Sequence, residues 1–254
     1  MKTTAKAFLA AACILSCTFA GAASYLKMDN DFGADFEKVQ TSPLFRKKIA
    51  FIGDSYVQNH HRPIAEAWHA LLAQKYLMHY LNYGRNGNRM VFAHPKQGET
   101  MLARYREIPE DADYIVVIAG HNDASAIARL NGKDDADREE PGVKERQAEM
   151  LAGFREGCGK MLDGLKQHYP NAKVALISPW RVERPFFADV IAVEKEECQK
   201  RGIAFCDSSE LTGIAPNDEA TRKNLFQGAK DTAHLNAAGH KLVLPKFESF
   251  LLSL

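Results

Sequence analysis

Residues 49–52 (Ile49-Ala50-Phe51-Ile52) are all apolar, and the run stops abruptly at Gly53-Asp54-Ser55. That pattern reads as a buried strand, placed at about 48–52, that hands a serine to the start of a helix. The alternation then repeats down the chain. Ile64, Ala67, Trp68, Leu71 and Leu72 fall at helical spacing and predict a helix over about 63–76, with Pro63 suited to its first turn. A short strand at 79–83 leads into a loop holding Gly84, Gly87 and Gly98, and then to a helix near 100–107. Residues 113–118 are almost continuously apolar, as a strand covered on both faces must be. A long helix over 143–168 is followed by a strand at 173–177, a helix at about 185–200 and a short strand at 203–206. The last helix spans about 236–252 and carries Pro245, a position for a kink. Strand-helix alternation of this kind implies an α/β protein, a three-layer α/β/α sandwich on a central parallel sheet of about five strands. The charged stretch 131–140 reads as a solvated excursion.

Composition narrows the class. The chain has 254 residues, 46% hydrophobic and 26% charged, which suits a single large globular domain. Its formal net charge of +1 gives no reason to expect a nucleic acid or an anionic membrane as partner. Residues 1–22 read as a signal peptide. Lys2 and Lys6 form a basic start, residues 7–20 are apolar or small, and Ala20-Gly21-Ala22 precede a cleavage point before Ala23. The apolar stretch is too short for an integral membrane span. A second reading takes Ile14-Leu15-Ser16-Cys17 as a lipobox, with Cys17 lipidated and anchored; either way the protein is exported, periplasmic or secreted. Residues 23–45 are then a polar lead-in and 46–254 the folded domain. Cys158 falls on an apolar helical stripe, whereas Cys198 and Cys206 are close enough in sequence for a disulfide, a pairing left open. None of the three has CxxC spacing, so no metal is expected.

Ligands of open parallel sheets bind beyond the carboxyl ends of the strands. The turns at that edge are Gly53-Asp54-Ser55, then Asn82-Tyr83-Gly84-Arg85-Asn86-Gly87, then Gly120-His121-Asn122-Asp123. Asp231-Thr232-Ala233-His234 joins them from just before the last helix. A serine at a helix start lies among backbone N–H groups without intrahelical partners, a setting suited to an oxygen nucleophile. Each turn also has a plain structural reading: Ser55 or Asp231 as a cap, Asn122 as a turn residue, Gly87 as a bend. His60-His61 read as solvated loop histidines rather than a chelate, and His240 as a structural residue of the last helix.

In order, Gly-Asp-Ser, Asn-x-Gly-x-x-Gly, Gly-x-Asn-Asp and Asp-x-x-His resemble the motif blocks of the SGNH hydrolases, the GDSL esterase/lipase superfamily, whose fold is flavodoxin-like. Tyr56 stands where the fourth letter of that name would be leucine, a departure expected to leave the chemistry alone. The resemblance implies a serine nucleophile, Ser55, a general base, His234, and an orienting carboxylate, Asp231. It implies an oxyanion hole from the N–H groups of Ser55 and Gly87 and the Asn122 amide, with no cofactor. Trp180 and Arg181 follow the fourth predicted strand and, with Arg85, are candidates to meet substrate, the tryptophan by stacking on a sugar and the arginines on a carboxylate. Arg89 is a further such arginine. The expected partner is a small-molecule or glycan ester, and the expected activity removal of O-acetyl groups from a carbohydrate. The alternatives are a lysophospholipase or thioesterase-like hydrolase, an acyltransferase with the same triad, and a carbohydrate-binding protein with a decayed site.

Overall fold

The run Tyr114–Ile118 is buried at every position, so it requires cover on both faces, and it lies in the middle of the sheet. The computed structural model describes residues 32–94, 96, 98–130 and 142–254. The expected signal peptide, Cys17 and residues 131–140 lie outside the described residues. Helix α1 (Phe32–Gln40) belongs to a unit of its own, Met1–Thr41, and closes with Thr41 Oγ1 donating to Glu37 O at 3.1 Å.

The second unit, Ser42–Leu254, alternates strands and helices. It runs β1 (Lys48–Gly53), α2 (Ser55–Gln58), α3 (Trp68–Lys75), β2 (His79–Gly84), α4 (Met101–Arg104), β3 (Tyr114–Ile118) and α5 (His121–Ala128). It continues with α6 (Val143–His168), β4 (Lys173–Ile177), α7 (Phe187–Arg201), β5 (Ala204–Cys206), α8 (Ser208–Thr212), α9 (Glu219–Leu225) and α10 (Ala237–Leu252). All five strands are parallel in the order β2-β1-β3-β4-β5, the α/β architecture expected. The helix expected over 63–76 is split. Ala67 is extended (ψ 141°), so a short 3-10 turn at Ile64–Glu66 precedes α3. Helix α10 runs on through Pro245. Cys158, Cys198 and Cys206 are buried free thiols, with no disulfide between the latter two. Among the described residues no helix is long and apolar enough to cross a membrane.

Register brings the strand ends level. Gly53 lies opposite Gly84 on one side and Ile118 on the other, and Ile118 lies opposite Ile177, which faces Cys206. The loops that follow therefore leave from one line. Phe51, Trp68 and Phe247 pack between β1, α3 and α10, the tryptophan and Phe247 stacked at 4.3 Å. Glycine is required at the last position of β2. A Cβ on Gly84 would approach the Val57 carbonyl carbon to 2.7 Å and would meet the Gln58 backbone nitrogen, so α2 rests directly on β2.

Because backbone rather than a flexible side chain occupies that space, Gly84→Ala is expected to cost about 2 kcal/mol of unfolding free energy, read as a lowered urea midpoint with an unchanged slope.

Candidate active site

The turn after β1 is built by Asp54. Its Oδ1 accepts the Tyr56 N–H at 2.9 Å and so caps α2, placing Ser55 in the helix's first turn, 8% exposed. Ser55 Oγ lies 2.8 Å from His234 Nε2, and His234 Nδ1 lies 2.9 Å from Asp231 Oδ2. The other Asp231 oxygen accepts the N–H groups of Ala233 and His234 at 2.8 and 2.9 Å. Capping the turn and holding the imidazole are thus two functions of one carboxylate. Burial would raise the Asp231 pKa, but the bonds from the His234 ring and the two N–H groups outweigh it and hold it at about 2. An ionised carboxylate only accepts, so Nδ1 carries the proton and Nε2 is left to accept from the Ser55 hydroxyl.

The loop carrying His234 is pinned from several sides. Asn236 caps α10 through the Gly239 N–H at 3.0 Å, and the Gln227 N–H donates to His234 O at 2.8 Å. Trp180 Nε1 donates to Ala233 O at 2.9 Å. The His60 ring stacks on the His234 ring at 3.9 Å and 8°. His60 is therefore not the solvated loop residue expected from its sequence position. Burial first, then the neighbouring His234 and His61, lower its pKa and keep it neutral. His240 is structural as expected, with Nε2 2.8 Å from Asn59 Oδ1 and Nδ1 accepting the Trp68 N–H at 3.3 Å.

Three donors are expected beside Ser55 Oγ. The Ser55 N–H opens a helix and the Gly87 N–H follows a loop at φ 72°; neither meets a protein acceptor among the described residues. The Asn122 amide is different. Its two hydrogens are already placed, on Asp54 Oδ2 at 3.0 Å and on Asn88 O at 3.1 Å. Asn122 lies in the first turn of α5, which is fastened to the loop after β2 by Asp123, whose carboxylate accepts the N–H groups of Met90 and Val91 at 2.8 and 3.0 Å. Burial raises the pKa of both Asp54 and Asp123, Asp54 to about 7. Arg104, 1% exposed, completes the frame with Nη2 on Gly53 O at 3.2 Å and on Asn88 Oδ1 at 2.8 Å. Nothing in the sequence marks Arg104 or Asn88 for this role.

The pattern of the GDSL-like lipase/acylhydrolase family matches residues 51–242, which takes in all four of these loops. The chain belongs to this family. A protein from Lactobacillus plantarum is 24% identical and superimposes with a TM-score of 0.66 over 82% of this chain and 98% of its own. A phospholipase A1 from Streptomyces albidoflavus NA297 is 15% identical, with a TM-score of 0.57 over 80% and 99%. An active-site mutant of a family two carbohydrate esterase from Clostridium thermocellum is 12% identical, with a TM-score of 0.56 over 82% and 64%. At these identities the likeness is one of fold. No curated protein is significantly similar in sequence.

The side chains expected to meet substrate in this GDSL-family hydrolase are otherwise occupied. Trp180 is 2% exposed and has no open face to stack on a sugar. Arg85 Nη2 donates to both Glu107 oxygens at 3.0 Å, and Arg181 binds Asp207 and Glu210 at 2.8 Å each. The Tyr56 ring packs against the His234 ring, with centroids 6.3 Å apart, and its hydroxyl lies 3.2 Å from His121 Nδ1. Arg89 does face open space, lining a cavity of about 570 Å³ beside Asn122.

Replacing Arg104 by alanine strands the buried Asn88 Oδ1 and leaves a cavity, and is expected to cost on the order of 3 kcal/mol, checked by chemical denaturation. Arg104→Lys is expected to recover only part of it, because one ammonium cannot reproduce the planar fork on Asn88 and Gly53.

Proposed function

We propose that this family member is an exported serine ester hydrolase that removes O-acetyl groups from a carbohydrate. The observation that carries the reading is the unbroken chain from Ser55 Oγ through the His234 ring to Asp231, at 2.8 and 2.9 Å. Ser55 Oγ attacks the ester carbonyl while His234 Nε2 takes its proton, and Asp231 stabilises the resulting imidazolium. The oxyanion falls among the N–H groups of Ser55 and Gly87 and the Asn122 amide. One such donor is worth about 3 kcal/mol of barrier. His234 then returns the proton to the departing alcohol, leaving Ser55 acylated. Water, deprotonated by His234, attacks the acyl carbon and releases acetate and the free serine.

The cavity beside Asn122 supports a small polar substrate. Arg89, His94, His121, Ser125, Arg129 and Arg184 outnumber the apolar Ala126, Leu130 and Met150 on its walls. A fatty acyl chain would leave those polar groups unsatisfied, which favours acetyl transfer to water over lipolysis. The Clostridium thermocellum carbohydrate esterase shares the fold, which is compatible with a sugar ester as substrate.

Steady-state kinetics on a series of esters of increasing chain length tests the reading, with circular dichroism as folding control. Activity is expected to be highest on acetyl esters and to disappear in Ser55→Ala and, nearly so, in His234→Ala. Asn122→Ala is expected to lower kcat by on the order of a hundredfold with little change in KM, because its amide acts on the charged oxygen. A folded Ser55→Ala protein with full activity would refute the assignment.

Export is tested separately by intact mass of the protein made in a bacterial host. The mature chain is expected to begin at Ala23. A lipid-bearing chain beginning at Cys17 would assign it to the lipoproteins instead.

A further inference from the structure

Among the described residues, the arginines divide into five that pair with a carboxylate and eight that do not. Arg62, Arg85, Arg155, Arg181 and Arg201 each face a carboxylate at 3.4 Å or less. Arg89, Arg129 and Arg184 have no carboxylate partner among the described residues, and these three line the same cavity. Arg89 Nε is buried without a hydrogen-bond partner, and the side chain of Arg184 reaches only Thr232 Oγ1, at 3.4 Å. The buried carboxylate of Asp123 is felt by Arg89 but accepts the backbone N–H groups of Met90 and Val91 rather than the guanidinium. His121, on the same wall, is held neutral. Burial first, then His234 and Arg184, depress its pKa to about 3. Three like charges around one concavity repel one another, and an anion seated among them removes that repulsion.

The cavity also adjoins the reacting groups. Asn122 lines it and is bonded to Asp54, next to Ser55, while Thr232 lies between Asp231 and His234. We propose that Arg89, Arg129 and Arg184 form an anion subsite, and that the substrate is an ester carrying a second, negatively charged group close to its carbonyl. The inference rests on the esterase reading above and narrows it. For a sugar ester the anion is a uronic carboxylate, a sulfate or a phosphate on the alcohol part; the same site would also take a carboxylate at the far end of a short acyl chain. The chemistry is unchanged. The acyl C–O bond breaks, the sugar oxygen takes the proton from His234, and water supplies the hydroxyl that ends on the acyl carbon. Arginine suits the task because its planar fork pairs with carboxylate, sulfate and phosphate oxygens in two parallel bonds.

Two matched pairs of esters test the proposal and locate the charge. Acetylated galacturonate against acetylated galactose places it on the alcohol; a 4-methylumbelliferyl hemisuccinate against the butyrate places it on the acyl group. The readout is the anionic-to-neutral ratio of kcat/KM within each pair. In one pair this ratio is expected to be about a hundred in the wild type. Arg129→Gln and Arg184→Gln are each expected to lower it about tenfold through KM, and raised salt to lower it further. Both arginines are exposed, so the variants are expected to keep the wild-type circular dichroism spectrum. Neutral esters hydrolysed as fast as their anionic partners in both pairs would overturn the subsite and leave the esterase reading standing. If no ester is turned over, the esterase reading falls and titration calorimetry with galacturonate and inorganic phosphate decides the subsite. Binding lost in the Arg129→Gln/Arg184→Gln double variant supports it, and no binding by the wild type overturns it.

Discussion

The buried carboxylate of Asp54 holds the site together. One oxygen caps the helix that carries Ser55; the other receives the Asn122 amide from across the sheet edge. From Asn122 the bonds pass to Asn88 O, from the Asn88 side chain to Arg104, and from Arg104 back to Gly53 O, one residue before Asp54. The circuit ties together the three loops that follow β1, β2 and β3. Each member is buried or half-buried, so breaking one link leaves polar groups without water to replace it. The network therefore fixes the relative positions of Ser55 and the groups around it more tightly than any single loop could.

Burial sets the charge state of that network. Asp54 titrates near 7 in the folded protein, above its ordinary range. A carboxyl whose folded-state pKa is raised binds its proton more tightly folded than unfolded. Its contribution to stability therefore declines as pH rises from about 4 towards 7. Asp231 has the opposite sign. Held at about 2, it stabilises the fold above the ordinary carboxylate range and loses that contribution only as pH falls towards 2. Two aspartates of one site thus respond to acid in opposite directions, one because it is dry and the other because it is paired.

Much of this was legible in the chain. Helix α6 has the bounds the sequence predicts because Phe154, Cys158, Met161, Leu162 and Leu165 recur at helical spacing, and β3 because five apolar residues run together. The Gly-Asp-Ser turn marks the start of α2, whose cap on Asp54 is local, whereas His121–Ala128 is too short and too polar for periodicity and is placed by the bonds of Asp123 to Met90 and Val91. Motif order brought the four loops to one edge. Sequence could not tell which arginines were free. Arg85 and Arg181 are neutralised by Glu107 and Asp207, over twenty residues away in the chain, and only folding reveals the pairing. The stacking of His60 on His234 is hidden from the sequence for the same reason: its partner is remote along the chain.

In the proposed mechanism the Asn122 amide enters catalysis with both hydrogens already spoken for. A neutral ester carbonyl offers no stronger an acceptor than the backbone oxygen of Asn88 and has little power to displace it. A full negative charge on oxygen is a better acceptor than either. On that proposal the amide is a selective donor that engages late, after the carbonyl has become an alkoxide, which separates recognition of the transition state from recognition of the substrate. A tetrahedral boronate adduct of Ser55 would recruit that donor, whereas a planar amide of the same shape would leave it on Asn88 O.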